Sequence, residues 1–424
     1  MKTPSNLDNS NLKKYSLSLI EADWLNNLKK ETFARLKTQS IPSKKDEEWR
    51  YTNTEPIIQK CFELVAKKSI SNLKNGKSFT QKNSNDNIFI YYADGKFCFV
   101  DKLPPYIKTL RNSDDLVNFE TLLNVDDKKI HSPFTDLNTL LLSDALIIET
   151  LKNQNIDAII HIIICSDIEQ NINPRLLIKL RENSSIKIFE HCLSSNSCVI
   201  NGLTEINCEK NSKLDYFKII DEQKDGYHLN LSNIKLSKSS TFNLFSWDSG
   251  AKVSRNNINV DLVEENASVN LNTLFSPSEK LHIDNQLKIK HIGEKCESFL
   301  DYRGILKDHS TGVFGGVVYV DQKAANTQSN MTNRNLLLSD HARINTKPVL
   351  EIYNEDVQCT HSATSGRLDE EKLFYIQSRG IGESDAMNIL IQSFASELVE
   401  KIKNSQMKRT FQEYLFKNYN KLEY

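Results

Sequence analysis

The stretch Glu265-Asn266-Ala267-Ser268-Val269-Asn270-Leu271-Asn272 decides how the fold is read. Four small or polar residues turn the chain. Apolar and polar residues then alternate with a period of two, as in a strand with one face on a core. The same unit recurs on either side. Glu182-Asn183-Ser184-Ser185 precedes Ile186-Lys187-Ile188-Phe189, and Lys210-Asn211-Ser212-Lys213 precedes Leu214-Asp215-Tyr216-Phe217. Lys238-Ser239-Ser240-Thr241 precedes Phe242-Asn243-Leu244-Phe245, and Gly293-Glu294-Lys295-Cys296 precedes Glu297-Ser298-Phe299-Leu300. Counted from the second turn residue, the units fall at 183, 211, 239, 266 and 294, in steps of 28, 28, 27 and 28. A second strand lies between successive turns, as in Ile258-Asn259-Val260-Asp261-Leu262 and Leu287-Lys288-Ile289-Lys290.

One such unit cannot bury its apolar face alone, whereas stacked units close a continuous core. Alternation sends Val269 and Leu271 inward and Asn270 and Asn272 outward. A step near 28 is long for a hairpin and natural for a two-strand coil. The chain is therefore read as mainly β, with a parallel (right-handed) β-helix core. An antiparallel sandwich with evenly spaced hairpins is the competing reading.

The flanks change period. Near the N-terminus, Ser18 and Glu21 have capping-box spacing, and Leu25, Leu28, Phe33 and Leu36 lie near one helical face up to Pro42. The compact run Glu48-Trp49-Arg50-Tyr51-Thr52 follows, then a polar loop over 69–87. A hairpin is expected from Ile88–Tyr92 and Phe97–Val100 around Asp94-Gly95. Towards the C-terminus, Asp369-Glu370-Glu371 supplies acids to a first helical turn, with Arg379 and Gly380 at its end. A second helix from about Ser384 carries Met387, Ile391, Phe394, Leu398 and Ile402 on one face; a third, over 407–420, carries Phe411, Leu415 and Tyr419. Three regions result: 1–130 helical and mixed, 131–366 the β-helix core, and 367–424 helical. The C-terminal helices are expected to cap the last coil, whose strand edges need cover.

Composition limits the function classes. With 54 basic and 55 acidic residues and a net charge of -1, the chain lacks the basic excess of a nucleic-acid binder. The longest apolar run, Ala158–Cys165, is strand-sized, so no membrane span is expected. The polar stretch Met1–Leu12 has no apolar signal-peptide core. The 8 cysteines are scattered and never spaced Cys-x-x-Cys, which favours reduced thiols over a disulfide framework. No nucleotide-binding Gly-x-x-x-x-Gly-Lys-Ser/Thr, dinucleotide Gly-x-Gly-x-x-Gly, His-Glu-x-x-His or Gly-x-Ser-x-Gly motif occurs. Gly312-Val313-Phe314-Gly315-Gly316 reads as close packing between coils.

Cys359-Thr360-His361 has metal-ligand character. On a strand, residues i and i+2 project together, and thiolate and imidazole both suit iron and zinc. Two ligands do not close a site, so the rest must come from elsewhere or from a partner. A cysteine packed as a small hydrophobe beside a hydrogen-bonded histidine is the bland alternative. In Glu190-His191-Cys192 the adjacent groups point to opposite faces, and these are read as structural.

The stretch from Lys347 to Ile381, through Glu351-Ile352-Tyr353-Asn354-Glu355-Asp356, Cys359-Thr360-His361-Ser362 and Leu373-Phe374-Tyr375-Ile376, resembles the SufB/SufD family of iron–sulfur cluster assembly subunits. Glu48–Thr52 and Asn330–Leu338 resemble the family as well. The SufB branch typically has a Glu-His-Glu-Ala-type run at the place of Cys359–Ser362 and a cysteine at that of Ile376, so the resemblance is to the SufD branch. It implies a non-catalytic scaffold of the SUF system that pairs with SufB through the β-helix. SufC, an ABC-type ATPase, would bind the C-terminal helices and supply all ATPase activity. His361 and Cys359 become candidate ligands of a transient iron–sulfur cluster at the SufB interface, with no cofactor tightly bound to this chain alone. A cytoplasmic setting, or a plastid-type organelle in a eukaryote, goes with it; pairing of isolated copies stays open. The alternatives are a SufB-like paralogue and a β-solenoid enzyme acting on polysaccharides. The latter needs carboxylates or basic residues repeated along one groove, and no such repeat is seen.

Overall fold

The computed structural model describes residues 23–65, 87–93, 95–99, 102–112, 132–166, 168–194, 196–222 and 224–419. Two sheets of ten strands each face one another. The first runs Lys96–Phe99, Ile88–Ala93, Asn155–Ser166, Ser185–Ser194, Lys213–Asp221, Thr241–Gly250, Ser268–Phe275, Glu297–Leu306, Thr327–Leu337 and Val357–Gly366. The second, starting from the same C-terminal end of the stack, begins Arg343–Ile352, Thr311–Val320, His282–His291, Val253–Leu262, Tyr227–Leu236 and Val199–Cys208. The chain passes from one sheet to the other at every coil, and all these neighbours pair in parallel except the hairpin at Lys96–Phe99. This is a parallel β-solenoid with helices at both ends of the sequence.

The register reproduces the sequence period. Ser185 pairs with Lys213, Lys213 with Thr241, and Thr241 with Ser268, which are steps of 28, 28 and 27. Coils lengthen towards the C-terminus, from 29 between Ser268 and Glu297 to 31 between Glu297 and Gln328. Each repeat is marked at its corner by a left-handed residue: Asn153, Asn183, Asn211, Ser239, Asn266, Lys295 and Asn326, with φ between 53° and 60°. Asparagine tolerates this region better than most residues, which explains its recurrence in the turns. It also ladders: Asn211 Nδ2 donates to Asn183 Oδ1 at 2.9 Å, and Asn183 Nδ2 to Asn153 Oδ1 at 2.8 Å. In the fifth turn the left-handed residue is Lys295, one beyond the expected Glu294. That turn opens with Gly293, which lies so close over Glu264 that a Cβ would come within 2.3 Å of its carbonyl carbon.

Val269 and Leu271 are fully buried in the interior, while Asn270 Nδ2 donates along the outer face to Asn243 Oδ1 at 2.8 Å. Gly316 faces inward where a Cβ would strike Met331 Sδ, so close packing is indeed its role.

The N-terminal region docks on the outside of the second sheet. Helix α1, Asp23–Leu36, buries Leu25 and Leu36; Ser18 and Glu21 of the expected capping box, the loop over 69–86 and Asp94 of the hairpin turn lie outside the described residues. The hairpin strands are antiparallel, with Gly95 at φ 74°. Trp49 explains the compact run that contains it. Its ring stacks on Phe134 at 5.2 Å and covers the buried Arg255 guanidinium at 3.7 Å. Arg255 Nη1 donates to Glu48 O at 2.8 Å and pairs with Asp284, while Thr52 Oγ1 shares a 2.8 Å hydrogen bond with His282 Nε2. Helices α2, Glu55–Val65, and α3, Pro133–Leu140, complete this apolar contact.

The three C-terminal helices form as expected: α4, Glu370–Gln377, α5, Glu383–Val399, and α6, Ser405–Tyr419. Asp369 caps α4 by accepting from the N–H groups of Glu371 and Lys372 at 3.1 Å, and Gly380 ends it at φ 84°. They do not, however, cap the last coil. Ile391, Ala395, Leu398, Val399, Ile402, Met407, Phe411 and Leu415 pack instead on the outer face of the first sheet, against Phe189, Phe217, Trp247, Leu274, Ile305 and Leu336. An apolar stripe on the outward side of the strands offers these helices more burial than a coil end can. Arg303, buried under α5, reinforces the contact by donating to Phe394 O at 2.5 Å and pairing with Glu397 at 2.8 Å.

Candidate functional site

With the helices on its flank, no described element covers the C-terminal end of the solenoid. Strand Val357–Gly366 pairs on one side with Thr327–Leu337, and Arg343–Ile352 on one side with Thr311–Val320; no described strand covers their other edges. Thr327, Ser329 and Met331 of the penultimate coil are buried. Their register partners in the last coil, Val357, Cys359 and His361, are half-buried, half-buried and exposed. Leu350 is also half-buried, and Ile352 and Tyr353 are exposed on the same end.

Both candidate ligands therefore lie on the interior face of the last strand, at the mouth of an open core. Burial pushes the Cys359 thiol up, against an opposing pull from the Ser329 N–H, which favours the protonated thiol. The strand presents one sulfur and one imidazole on one face, and two such groups do not close a metal site. Polar groups continue inward: Ser329 and Ser298 share a 2.8 Å hydrogen bond, and Ser298 Oγ lies 2.9 Å from His291 Nε2. Burial pushes that imidazole down to about 4.

A second exposed surface lies on α4, which buries none of its residues and leaves Phe374 and Tyr375 at 72% and 60% exposure.

In Glu190-His191-Cys192 the alternation holds. Glu190 and Cys192 are buried on the inner side, and His191 faces outward with Nε2 2.7 Å from Tyr414 Oη. Two residues near Cys192 escape a reading by motif. Glu222 and His228 bring a carboxylate oxygen and a ring nitrogen within 4.8 Å of its sulfur and of each other. One repeat of 28 carries Cys192 to its partner Ile220, two residues before Glu222, so aligning coils rather than motifs was the usable signal.

Comparison with known proteins agrees with this architecture. The family described as SUF system FeS cluster assembly, SufBD core domain, matches residues 163–394, and the SufBD protein N-terminal region matches residues 10–94. The chain belongs to the SufBD family of iron–sulfur cluster assembly proteins. It is 28% identical to iron-sulfur cluster assembly protein SufD of Escherichia coli over 381 residues, 87% of each chain. A SufBD family protein of Synechocystis is 26% identical over 394 residues, 85% of this chain and 84% of that one. The chloroplastic protein ABCI7 of Arabidopsis thaliana is 30% identical over 241 residues, 56% of this chain and 50% of that one. Among the described residues no helix is long and apolar enough to cross a membrane.

Proposed function

We propose that this chain is the SufD-type scaffold subunit of a SUF complex, pairing end to end with SufB through its last coil and carrying SufC on its C-terminal helices, residues 367–424. The bare edge of the last coil carries this reading. Unpaired strand edges template further strands, and the exposed Ile352 and Tyr353 beside them gain burial when a second solenoid docks. Such docking encloses His361 and Cys359 in the joint, where SufB supplies the ligands that two side chains lack. The nascent cluster is cargo, assembled there and passed on. The exposed Phe374 and Tyr375 on α4 suit the docking of SufC. ATP hydrolysis belongs to SufC, whose movement rearranges the joint; this chain contributes no catalysis. The complex works in the cytoplasm, or in a plastid-type organelle in a eukaryote, without nucleic acid or membrane. Isolated copies can pair through the same edge.

Affinity purification from native extract tests the partners: an ABC-type ATPase and a second solenoid protein should accompany the chain. A His361→Ala complex should assemble but hold less iron. Unchanged iron in that complex removes His361 as a ligand, and a chain that purifies alone while turning over polysaccharide overturns the scaffold.

A further inference from the structure

We propose that the solenoid interior holds a second, divalent-metal site built by Cys192, Glu222 and His228, separate from the open end. Cys192 lies on the inner face of strand Ser185–Ser194. One coil further on, Glu222 follows strand Lys213–Asp221, and His228 is the second residue of Tyr227–Leu236. The corner between the sheets folds these three together. All are buried, with ligand atoms within 4.8 Å of one another. Tetrahedral ligands roughly 2.0–2.3 Å from an ion stand roughly 3.3–3.8 Å apart, so small side-chain rotations close the site.

Cys192 Sγ donates to Glu190 Oε1 at 3.5 Å, but hydrogen bonding within the protein leaves the other two members of the trio unsatisfied. His228 Nδ1 lies 2.8 Å from Glu222 Oε1, but His228 Nε2 and Glu222 Oε2, both buried, have no partner among the described residues. Native interiors pair nearly all such atoms. The surroundings are also rich in carboxyl groups. Glu190 is paired with Lys218 at 3.1 Å and accepts from Tyr216 Oη at 2.5 Å. Asp248 accepts from Ser254 Oγ at 2.6 Å and Asn256 Nδ2 at 2.9 Å. Glu190, Glu222 and Asp248 thus share one buried lysine and one histidine, and buried carboxyl groups are kept neutral, paired or bound to metal. The polar groups around the trio, Tyr216, Lys218, Asp248 and Asn256, line a lumen cavity of about 30 Å³ that the trio itself does not border. That is room for a water or two.

One sulfur, one nitrogen and one oxygen suit Zn²⁺, Fe²⁺ or Co²⁺ and leave a fourth position for water. On binding, the ion takes the Cys192 sulfur, a Glu222 carboxylate oxygen and a His228 ring nitrogen. The thiol proton leaves to solvent, and no electrons are transferred. Along the first sheet the site lies six strand spacings from Val357–Gly366. At about 4.8 Å each that is roughly 29 Å, so it does not depend on the proposed joint.

The test uses the metal-stripped full chain carrying Cys359→Ser and His361→Ala, which removes the open-end pair. Titration with Co²⁺ should give one equivalent and a thiolate-to-cobalt charge-transfer band. Adding Cys192→Ser or His228→Asn should abolish the band and weaken binding at least the ~10- to 100-fold that loss of a mere outer partner costs. Adding Cys208→Ser, at another fully buried interior cysteine, should leave it unchanged. X-ray absorption on the zinc-loaded double variant, with the trio intact, should find one sulfur per zinc; this needs no substitution at the site to fold. A cobalt spectrum without the band, a band that survives Cys192→Ser, or a zinc shell without sulfur overturns the proposal.

Discussion

Met331 lies directly beneath His361: the two are register partners on neighbouring strands, yet Met331 is fully buried and His361 is exposed. One coil separates a sealed interior from an open one, so truncation at the two positions should differ sharply. Met331→Ala leaves a cavity among Phe314 and its neighbours and should cost about 2–5 kcal/mol. His361→Ala should change stability by less than about 0.5 kcal/mol, as surface changes do. Urea unfolding of the isolated chain measures both. Equal losses would mean that the end is closed, and that His361 belongs to the core.

His291 should make stability pH-dependent. Burial lowers its value from 6.5 to about 4. Above pH 6.5 the ring is neutral whether the chain is folded or not. Below it the unfolded chain takes up a proton that the folded chain refuses, so stability falls as pH drops towards 4. At pH 4.5 the loss from this one group is about 2–3 kcal/mol. His291→Asn keeps a hydrogen-bonding group towards Ser298 but cannot titrate. Its unfolding free energy should therefore vary less between pH 7 and 4.5 than that of the unsubstituted chain, and parallel curves would sink the assignment.

Much of this was legible because a solenoid repeats a short physical requirement. Alternation in Val269–Asn272, short polar turns at the corners and a nearly constant step together fix coil length and inner face. The helical flank was misplaced for the same reason. Phe217, Ile219 and Trp247 are apolar on the outer face, and a strand buried on both faces loses the alternation that tells inside from outside. Cys359 and His361 could be assigned to one face by spacing, but their place at a bare end follows only from the strand order. Glu222 and His228 carry no local pattern with Cys192, since the corner that unites them is tertiary.

The C-terminal helices should loosen in acid before the solenoid does. Burial alone would raise the carboxyl of Asp301, but hydrogen bonds from Arg303 and Lys401 hold it below its usual value. The Lys401 bond, at 2.7 Å, ties the strand to the segment after α5, and Arg303, which donates to Asp301 at 3.1 Å within the strand, reaches α5 itself at Phe394 O. A depressed carboxyl stabilises the fold above its unfolded value, about 4, and that stabilisation disappears as pH falls through the folded value. Hydrogen exchange over 383–419, corrected for intrinsic rate, should therefore accelerate below about pH 4 while the core strands stay protected. In Asp301→Asn the acceleration should already be present at pH 7. If acid exposes core and helices together, the ion cluster is not what holds them.

Trp49 and Arg255 should be energetically coupled, because the ring covers a guanidinium that is almost wholly buried. Removing the ring uncovers Arg255 and empties the space against Phe134, so Trp49→Ala should cost about 3–5 kcal/mol. Trp49→Phe keeps an aromatic face and should lose less. Arg255→Met removes the charge but strands the Asp284 carboxylate, so its own cost does not measure the pair. The double variant does: the cycle should return a coupling of about 1–2 kcal/mol, the range for a desolvated cation over tryptophan. Trypsin should also release the N-terminal region faster from Trp49→Ala, since α2 reaches the second sheet through the same apolar cluster. Single costs that simply add in the double variant would show that Trp49 holds this region by burial alone, with the guanidinium a bystander.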